Sequence, residues 1–360
     1  MKQMMAAVLY GKEDLRLEQV TTPRAAAGEI IVQVGAALTC GTDIKVYRRG
    51  YHARMLKPPV PFGHELAGTV SEVGEGVTSF RVGDRVVAMN SAPCDACFFC
   101  RHGQQNLCED LLFNNGAYAE YIRIPARIVE KNTLRIPDSV PFEHAAMTEP
   151  LACVMRGFEQ TGARLGDSMI VIGAGPIGLM HMHVASLAGV DVIAVVDREE
   201  QIAAAKLFGA STVVHTVAVE DVIAAARALT PGGRGADVVI EAAASQTTWE
   251  WAVDMARKGG VVNCFGGPPS GTKMQVDTDR LHYSDIKILS SFHHTPEACR
   301  RSLNLVASGR FRCDAIITGR TTLDQVPELF QGILTRKPGT LYIKTAVFPA
   351  GAEGIEVAKR

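Results

Sequence analysis

Net charge, long apolar runs and cysteine are all scarce in this chain. Its 37 Lys and Arg almost cancel its 38 Asp and Glu, leaving a formal net charge of −1. The balance gives no electrostatic argument for nucleic acid or an anionic membrane surface as a partner. No uninterrupted apolar stretch reaches the roughly 18 residues that a membrane-spanning helix needs, so no membrane span is expected. The start, MKQMMAAVLYGKEDL, lacks an apolar core long enough for a secretion signal and runs at once into acidic residues. The expectation is a cytoplasmic protein with reduced thiols, in which cysteine serves a metal or a reaction rather than a cross-link. Internal repeats, low-complexity segments and long linkers are also missing. What remains is a 360-residue chain, 47% hydrophobic and 21% charged, able to build two ordinary domains with substantial cores.

Only nine cysteines occur, yet four of them, Cys94, Cys97, Cys100 and Cys108, fall within CDACFFCRHGQQNLC. The spacing is C-x2-C-x2-C-x7-C, and two-residue gaps let one loop wrap an ion from several sides. Neither a helical nor a strand period buries these positions as apolar filler. A structural zinc with four thiolates is the expectation. An iron–sulfur cluster and a set of free thiols are the alternatives. A closed four-thiolate site has no open position, so any chemistry must lie elsewhere. Cys153, Cys264, Cys299 and Cys313 read as small packing residues.

Residues 1–150 carry short β-branched runs punctuated by Gly and Pro, such as EIIVQVGAALT and YAEYIRI, which predict an irregular β-rich domain. AAMTEPLACVMRGFEQTGARLGD follows and predicts a helical connector. From about residue 168 the texture alternates: SMIVIG, DVIAVVD, STVVHT, ADVVIEAA, GVVNCFG and DIKILSSF read as strands, with helical segments, including TTWEWAVDMARKGG, between them. Near-continuous apolar strands are buried on both faces, as in a parallel sheet covered by helices. Six of them match a doubly wound dinucleotide-binding sheet. A last helix and a final strand, GTLYIKTAVF, close the chain.

Gly173, Gly175 and Gly178 form G-x-G-x-x-G directly after the SMIVIG strand, with Pro176 and Ile177 opening the next helix. The first glycine permits the tight turn and the second lets the backbone approach a pyrophosphate. The third lets helix and sheet pack closely, and the helix N-terminus attracts phosphate charge. Asp197 ends the next strand, nineteen residues beyond Gly178. A carboxylate there suits the ribose hydroxyls of NAD and repels the 2′-phosphate of NADP, while the adjacent Arg198 pulls the other way. A helix cap without a ligand is the alternative reading of the loop. His181 and His183 lie two apart on a predicted helix, hence on different faces.

LTCGTDIKVY, PFGHELAG and MTEPLA contribute Cys40, Thr42, Asp43, His64, Glu65 and Glu149. A catalytic zinc wants about three protein ligands and one open position, and these are ligand types. Taken with the four-cysteine lobe and the glycine loop, in this order, the motifs resemble the zinc-dependent medium-chain dehydrogenases across essentially the whole chain. The branch is the one holding sorbitol (L-iditol) and L-threonine dehydrogenases. The resemblance implies an α/β protein: a GroES-like β-rich catalytic domain over 1–153 with a structural zinc lobe at 91–110, and a Rossmann doubly wound parallel-sheet domain over 154–294 that binds NAD. Residues 295–360 would return to the catalytic domain.

It further implies two zinc ions per chain. Cys40, His64 and Glu65 map onto the catalytic ligands, with Glu149 binding directly or through water, and Cys94, Cys97, Cys100 and Cys108 map onto the structural ones. Zinc would make the hydroxyl of a small-molecule alcohol substrate easier to deprotonate, Thr42 would accept its proton, and the carbinol carbon would give hydride to nicotinamide. Asp43 would orient the site through hydrogen bonds. The family suggests a homo-oligomer, dimer or tetramer. Lys45 stands where threonine dehydrogenases carry a histidine, and Ser291 near where sorbitol dehydrogenases carry an arginine. The leading expectation is oxidation of a secondary alcohol of a polyol-like substrate to the ketone, with amino-alcohol and cyclitol substrates as alternatives, and His293 and His294 are left between a pocket lining and a surface role. A nucleotide-binding protein without turnover would be expected to have broken catalytic ligands; here they are all present.

Overall fold

A computed structural model describes residues 2–52, 54–335 and 342–349. Residues 339–341, the start of the expected final strand, lie outside the described part. The chain divides into two compact units. One holds the residues up to Pro150 and resumes at His294; the other runs Leu151–His293.

In the first unit, strands follow in the order Thr133–Arg135, Arg85–Ala88, Glu65–Val73, Ile30–Leu38, Lys344–Phe348 and Ile317–Thr322. Tyr121–Ile124 pairs with the far part of Ile30–Leu38. The C-terminal strand thus inserts next to an N-terminal one, Ala346 opposite Leu38 and Val347 opposite Ala37. The return is sealed by aromatic packing. Phe330, on the helix Val326–Leu334, sits 5.5 Å from Tyr47, 5.6 Å from Phe62 and 5.8 Å from Tyr118, ring centre to ring centre. All four rings are buried. Offset and edge-on ring pairs of this kind add to the burial that holds a core.

The second unit contains one six-stranded sheet, all parallel. Its order is Ala210–His215, Asp191–Val196, Ser168–Ile172, Ala236–Glu241, Ala256–Cys264, Lys287–Leu289, which is 3-2-1-4-5-6 in sequence terms. Every residue of Ser168–Ile172 is buried, as a central strand covered on both faces requires. The doubly wound order places a crevice beyond the carboxyl ends of the first and fourth strands. One expectation changes. The helix expected over TTWEWAVDMARKGG is a helix only from Gln246 to Met255, and Ala256–Cys264 is already strand. Ala256 pairs with Ala236, and Arg257 Nε lies 2.6 Å from Asp237 Oδ1, so sheet pairing overrides the helical preference of Ala-Arg-Lys. Among the described residues no helix is long and apolar enough to cross a membrane.

Candidate active site

Cys40 sits at the N-cap of the helix Gly41–Arg49, and its sulfur accepts the Thr42 N–H at 3.4 Å. Asp43 occupies the first turn, Arg48 and Arg49 the last, and Gly50 ends the helix in the left-handed conformation. These charges agree with the helix dipole. Thr42 is half-buried beside Cys40. Glu65 opens the strand Glu65–Val73, with His64 just before it and just after Gly63, which has φ +86°. A Cβ at Gly63 would lie 2.8 Å from the Tyr118 ring, so only glycine lets the chain turn there.

The turn brings one donor atom each of Cys40, His64 and Glu65 within 4.8 Å of one another. His64 Nδ1 is 2.8 Å from Asp43 Oδ1, leaving Nε2 as the nitrogen available to a metal. Tyr118 donates to the other oxygen of Asp43 at 2.7 Å and reaches the Leu38 carbonyl at 3.0 Å. Burial opposes charge on His64, yet Asp43 and then Cys40 hold its pKa well above the usual value. The negative surroundings that raise it, Asp43 and Cys40, would equally favour a metal cation at Nε2. Glu65 is completely buried: Oε2 accepts from Lys344 Nζ at 2.5 Å, while Oε1 has no hydrogen-bond partner. Lys344 also donates to the Thr39 carbonyl at 2.7 Å. A soft thiolate, an imidazole nitrogen and an orphaned carboxylate oxygen converging on one point fit zinc with an open fourth position.

Glu149 does not join that group. It is buried, and its Oε1 lies 3.6 Å from His294 Nε2. Burial, reinforced by Glu65 and opposed by His64 and Lys344, pushes its pKa up to about 7.

The four lobe cysteines also gather, all four sulfurs within 4.8 Å of one another. Backbone N–H groups point at them: Cys94 N to Cys108 Sγ at 3.2 Å, and Cys97 N and Ala96 N to Cys94 Sγ at 3.3 and 3.4 Å. Backbone donors from Cys100 and Glu109 lower the Cys97 thiol to about 6, while burial and its neighbour Cys97 push Cys100 up to about 12. Four thiols crowded together cannot all ionise unaided, and a divalent ion satisfies them all. The ribbon of Ser91–Ala92 with Leu112–Phe113 closes the base of the lobe, and Lys131 ties down Asp95 within it.

In the other unit, Gly173 has φ +97°, and a Cβ on Gly178 would meet the Gly173 carbonyl oxygen at 1.9 Å. Gly175, the N-cap of Pro176–Leu187, has no side-chain cap and open space where a Cβ would be. That cradle fits a pyrophosphate at a helix N-terminus. Asp197 is exposed just beyond Asp191–Val196. Arg198 Nε stands 3.9 Å from it. In the amide orientation that satisfies both, Gln201 donates to Asp197 at 2.9 Å and accepts from Arg198 at 2.7 Å.

Comparison with known proteins shows the family. The alcohol dehydrogenase GroES-like domain model matches residues 26–138, and the zinc-binding dehydrogenase model matches 176–308. The L-threonine 3-dehydrogenase of Pyrococcus abyssi is 32% identical over 94% of this chain and 98% of its own. This chain is a zinc-dependent medium-chain dehydrogenase. The sorbitol dehydrogenase of Bacillus subtilis is 28% identical, covering 97% of this chain and 98% of its own. A Sinorhizobium meliloti protein described as a zinc-binding dehydrogenase, solved with NADP, superposes with TM-score 0.88 at 30% identity over 97% of this chain and 100% of its own. The dehydrogenase is thus an oxidoreductase of the alcohol dehydrogenase class, using zinc and a nicotinamide dinucleotide.

Sequence reasoning missed Lys344 and Tyr118. The signal for Lys344 was available, a lysine inside the apolar run YIKTAVF. His181 and His183 do diverge, packing edge-on against Phe265 and Phe208 respectively. Cys264, Cys299 and Cys313 are buried, and Cys153 is partly so.

Proposed function

We propose that this dehydrogenase oxidises a secondary alcohol of a polyol-like compound to the ketone, and runs the reverse, with NAD as hydride carrier. The observation that carries the reading is the buried, unpartnered Glu65 Oε1 beside Cys40 and His64. Those three residues would hold the catalytic zinc, and Cys94, Cys97, Cys100 and Cys108 a structural one. When bound, zinc supplies Lewis acidity to a hydroxyl and nicotinamide accepts the hydride.

The chain's own residues do the rest. Thr42 Oγ1 takes the hydroxyl proton and passes it outward. Asp43, held by Tyr118, keeps the His64 ring oriented. Gly173, Gly175, Pro176, Ile177 and Gly178 seat the pyrophosphate. Asp197 binds the ribose hydroxyls, with Arg198 drawn toward Gln201 and Glu200.

Charge bears on Glu149. Zinc with ionised Cys40 and Glu65 is about neutral, and the Lys344 and Asp43 charges cancel. Glu149 as a further ligand makes the centre net negative and fills the position a substrate needs. Glu149 would therefore serve as a transient ligand, held off the zinc when water or substrate takes the open position. The relatives' names, sorbitol and L-threonine dehydrogenase, bracket the substrate between polyol and amino alcohol. Ser291, engaged by Asn263 and Gln160, leaves the arginine of the sorbitol enzymes without an equivalent there, and a cyclitol remains a second substrate class. The protein would work in the cytoplasm as a homo-oligomer.

A panel of polyols, cyclitols, sugars and amino alcohols, read by NADH absorbance, tests the reading. Activity confined to amino alcohols overturns the polyol assignment. Glu149→Ala should keep its zinc while losing turnover; loss of the zinc would make Glu149 a permanent ligand.

A further inference from the structure

His294 is buried, although the sequence left it between pocket and surface. It precedes Thr295, whose hydroxyl caps the helix Pro296–Ala307 by accepting the Ala298 N–H. Both ring nitrogens are engaged. Nδ1 is 3.3 Å from the sulfur of Cys299, one turn into that helix, and Nε2 is 3.0 Å from Asn90 Oδ1. Cys299 is fully buried and meets Nδ1, while Nε2 points at an amide oxygen, which can only accept. Nε2 then carries the proton, and it faces two acceptors. One is Asn90 Oδ1; the other is Glu149 Oε1, at 3.6 Å. That second distance is too long for a hydrogen bond, but a shift of about 0.6 Å would make one.

A hydrogen bond ties the segments that carry the pair. Ser302, on the helix that follows His294, donates to the Thr148 carbonyl at 2.9 Å, tying that helix to the residue before Glu149. An imidazole held at both ends therefore offers its Nε2–H to a carboxylate that the three zinc-type ligands do not hold.

Resting on the reading of Cys40, His64 and Glu65 as the catalytic zinc ligands, we infer that His294 is a positioning residue for Glu149. Its Nε2–H receives the Glu149 carboxylate when that carboxylate is off the metal, with Asn90 keeping the N–H aimed in between. Removing the donor leaves Glu149 without its off-metal partner and shifts it onto the ion.

The full-length enzyme, loaded with zinc or with cobalt(II), provides the test. His294→Phe keeps the ring but lacks the donor, whereas His294→Gln can still donate. His294→Phe should lose catalytic zinc to a chelator about tenfold more slowly, in line with the effect of other groups that act through a metal ligand. Its cobalt(II) visible bands should weaken as the coordination number rises, and kcat should fall more than KM changes. His294→Gln should recover all three. In a Glu149→Gln background, the His294→Phe change should have no further effect on zinc loss. The Cys40→Ser variant, loaded only at the four-cysteine lobe, is the spectral blank.

A folded His294→Phe enzyme with unaltered zinc loss and cobalt spectrum overturns the inference. So does an effect of the same size in the Glu149→Gln background. If His294→Phe does not fold, His294→Gln and His294→Asn, the second too short to reach, make the same comparison. If Cys40→Ser leaves metal content and spectrum unchanged, the zinc-site reading itself fails, which is a separate result.

Discussion

His181, on the helix that follows the glycine loop, is a buried base with nothing to bond. It is fully buried, neither ring nitrogen has a hydrogen-bond partner, and Phe265 meets it edge-on at 4.7 Å. Burial drives its pKa down to about 3. In the unfolded chain a histidine takes its proton near pH 6.5. The unfolded state therefore binds more protons between those two values, so stability is whole above about pH 6.5 and is lost as pH falls toward 3. At pH 5 the loss is about 2 kcal/mol, and it is insensitive to how far below 5 the folded value lies. His181→Leu should abolish this dependence. It should also stabilise the fold at pH 7 by about 1 kcal/mol, because it removes two orphaned polar atoms at nearly constant volume.

Urea titration of the whole chain reads this directly. Both tryptophans, Trp249 and Trp251, lie in the dinucleotide-binding unit with His181, so fluorescence reports that unit. Other acid-sensitive groups and zinc loss affect both proteins, and the difference between them isolates His181. The advantage of His181→Leu should therefore grow by about 2 kcal/mol from pH 7 to pH 5. An advantage that stays constant with pH refutes the reasoning, since it would mean that His181 finds a partner or a proton in the folded state.

Elemental analysis should find two zinc ions per chain, and Cys97→Ser should lower the count by one; iron with visible charge-transfer absorption would exclude zinc from the lobe. Initial rates should show a higher kcat/KM with NAD than with NADP, and Asp197→Ser should narrow the gap; an NADP preference in the unaltered enzyme would show that Arg198 outweighs Asp197. Lys344→Met leaves Glu65 buried without its counter-charge, and breaking a buried pair in this way costs about 3–5 kcal/mol. Thermal melting should register that loss, and an unchanged melting temperature would mean that Glu65 is held by other groups. Tyr118→Phe should fold but lower zinc affinity roughly tenfold in competition with a chelator, because Asp43 loses one of its two donors.

The parts of this enzyme legible in its sequence are those whose partners are close along the chain. Cys94, Cys97, Cys100 and Cys108 share one short loop, so their spacing alone states that they can meet around an ion. The glycine loop is local too: Gly173 and Gly178 touch within five residues, and the strand before them and helix after them are visible as patterns. Six apolar strands in alternation were enough to expect the parallel sheet. What tertiary structure decided is every contact that depends on strand register across the fold. Lys344 reaches Glu65 over 279 residues, Tyr118 reaches Asp43 over 75 and His294 reaches Asn90 over 204. Tyr118 and His294 are ordinary residues in their own neighbourhoods, and although Lys344 stands out inside YIKTAVF, nothing local names Glu65 as its partner. Only when Lys344–Phe348 pairs beside Ile30–Leu38 does Lys344 lie against Glu65, because register sets which face each side chain takes. The same physics moved the boundary at Ala256, where pairing with Ala236 outweighed a local helical preference that sequence reading can see but pairing can overrule.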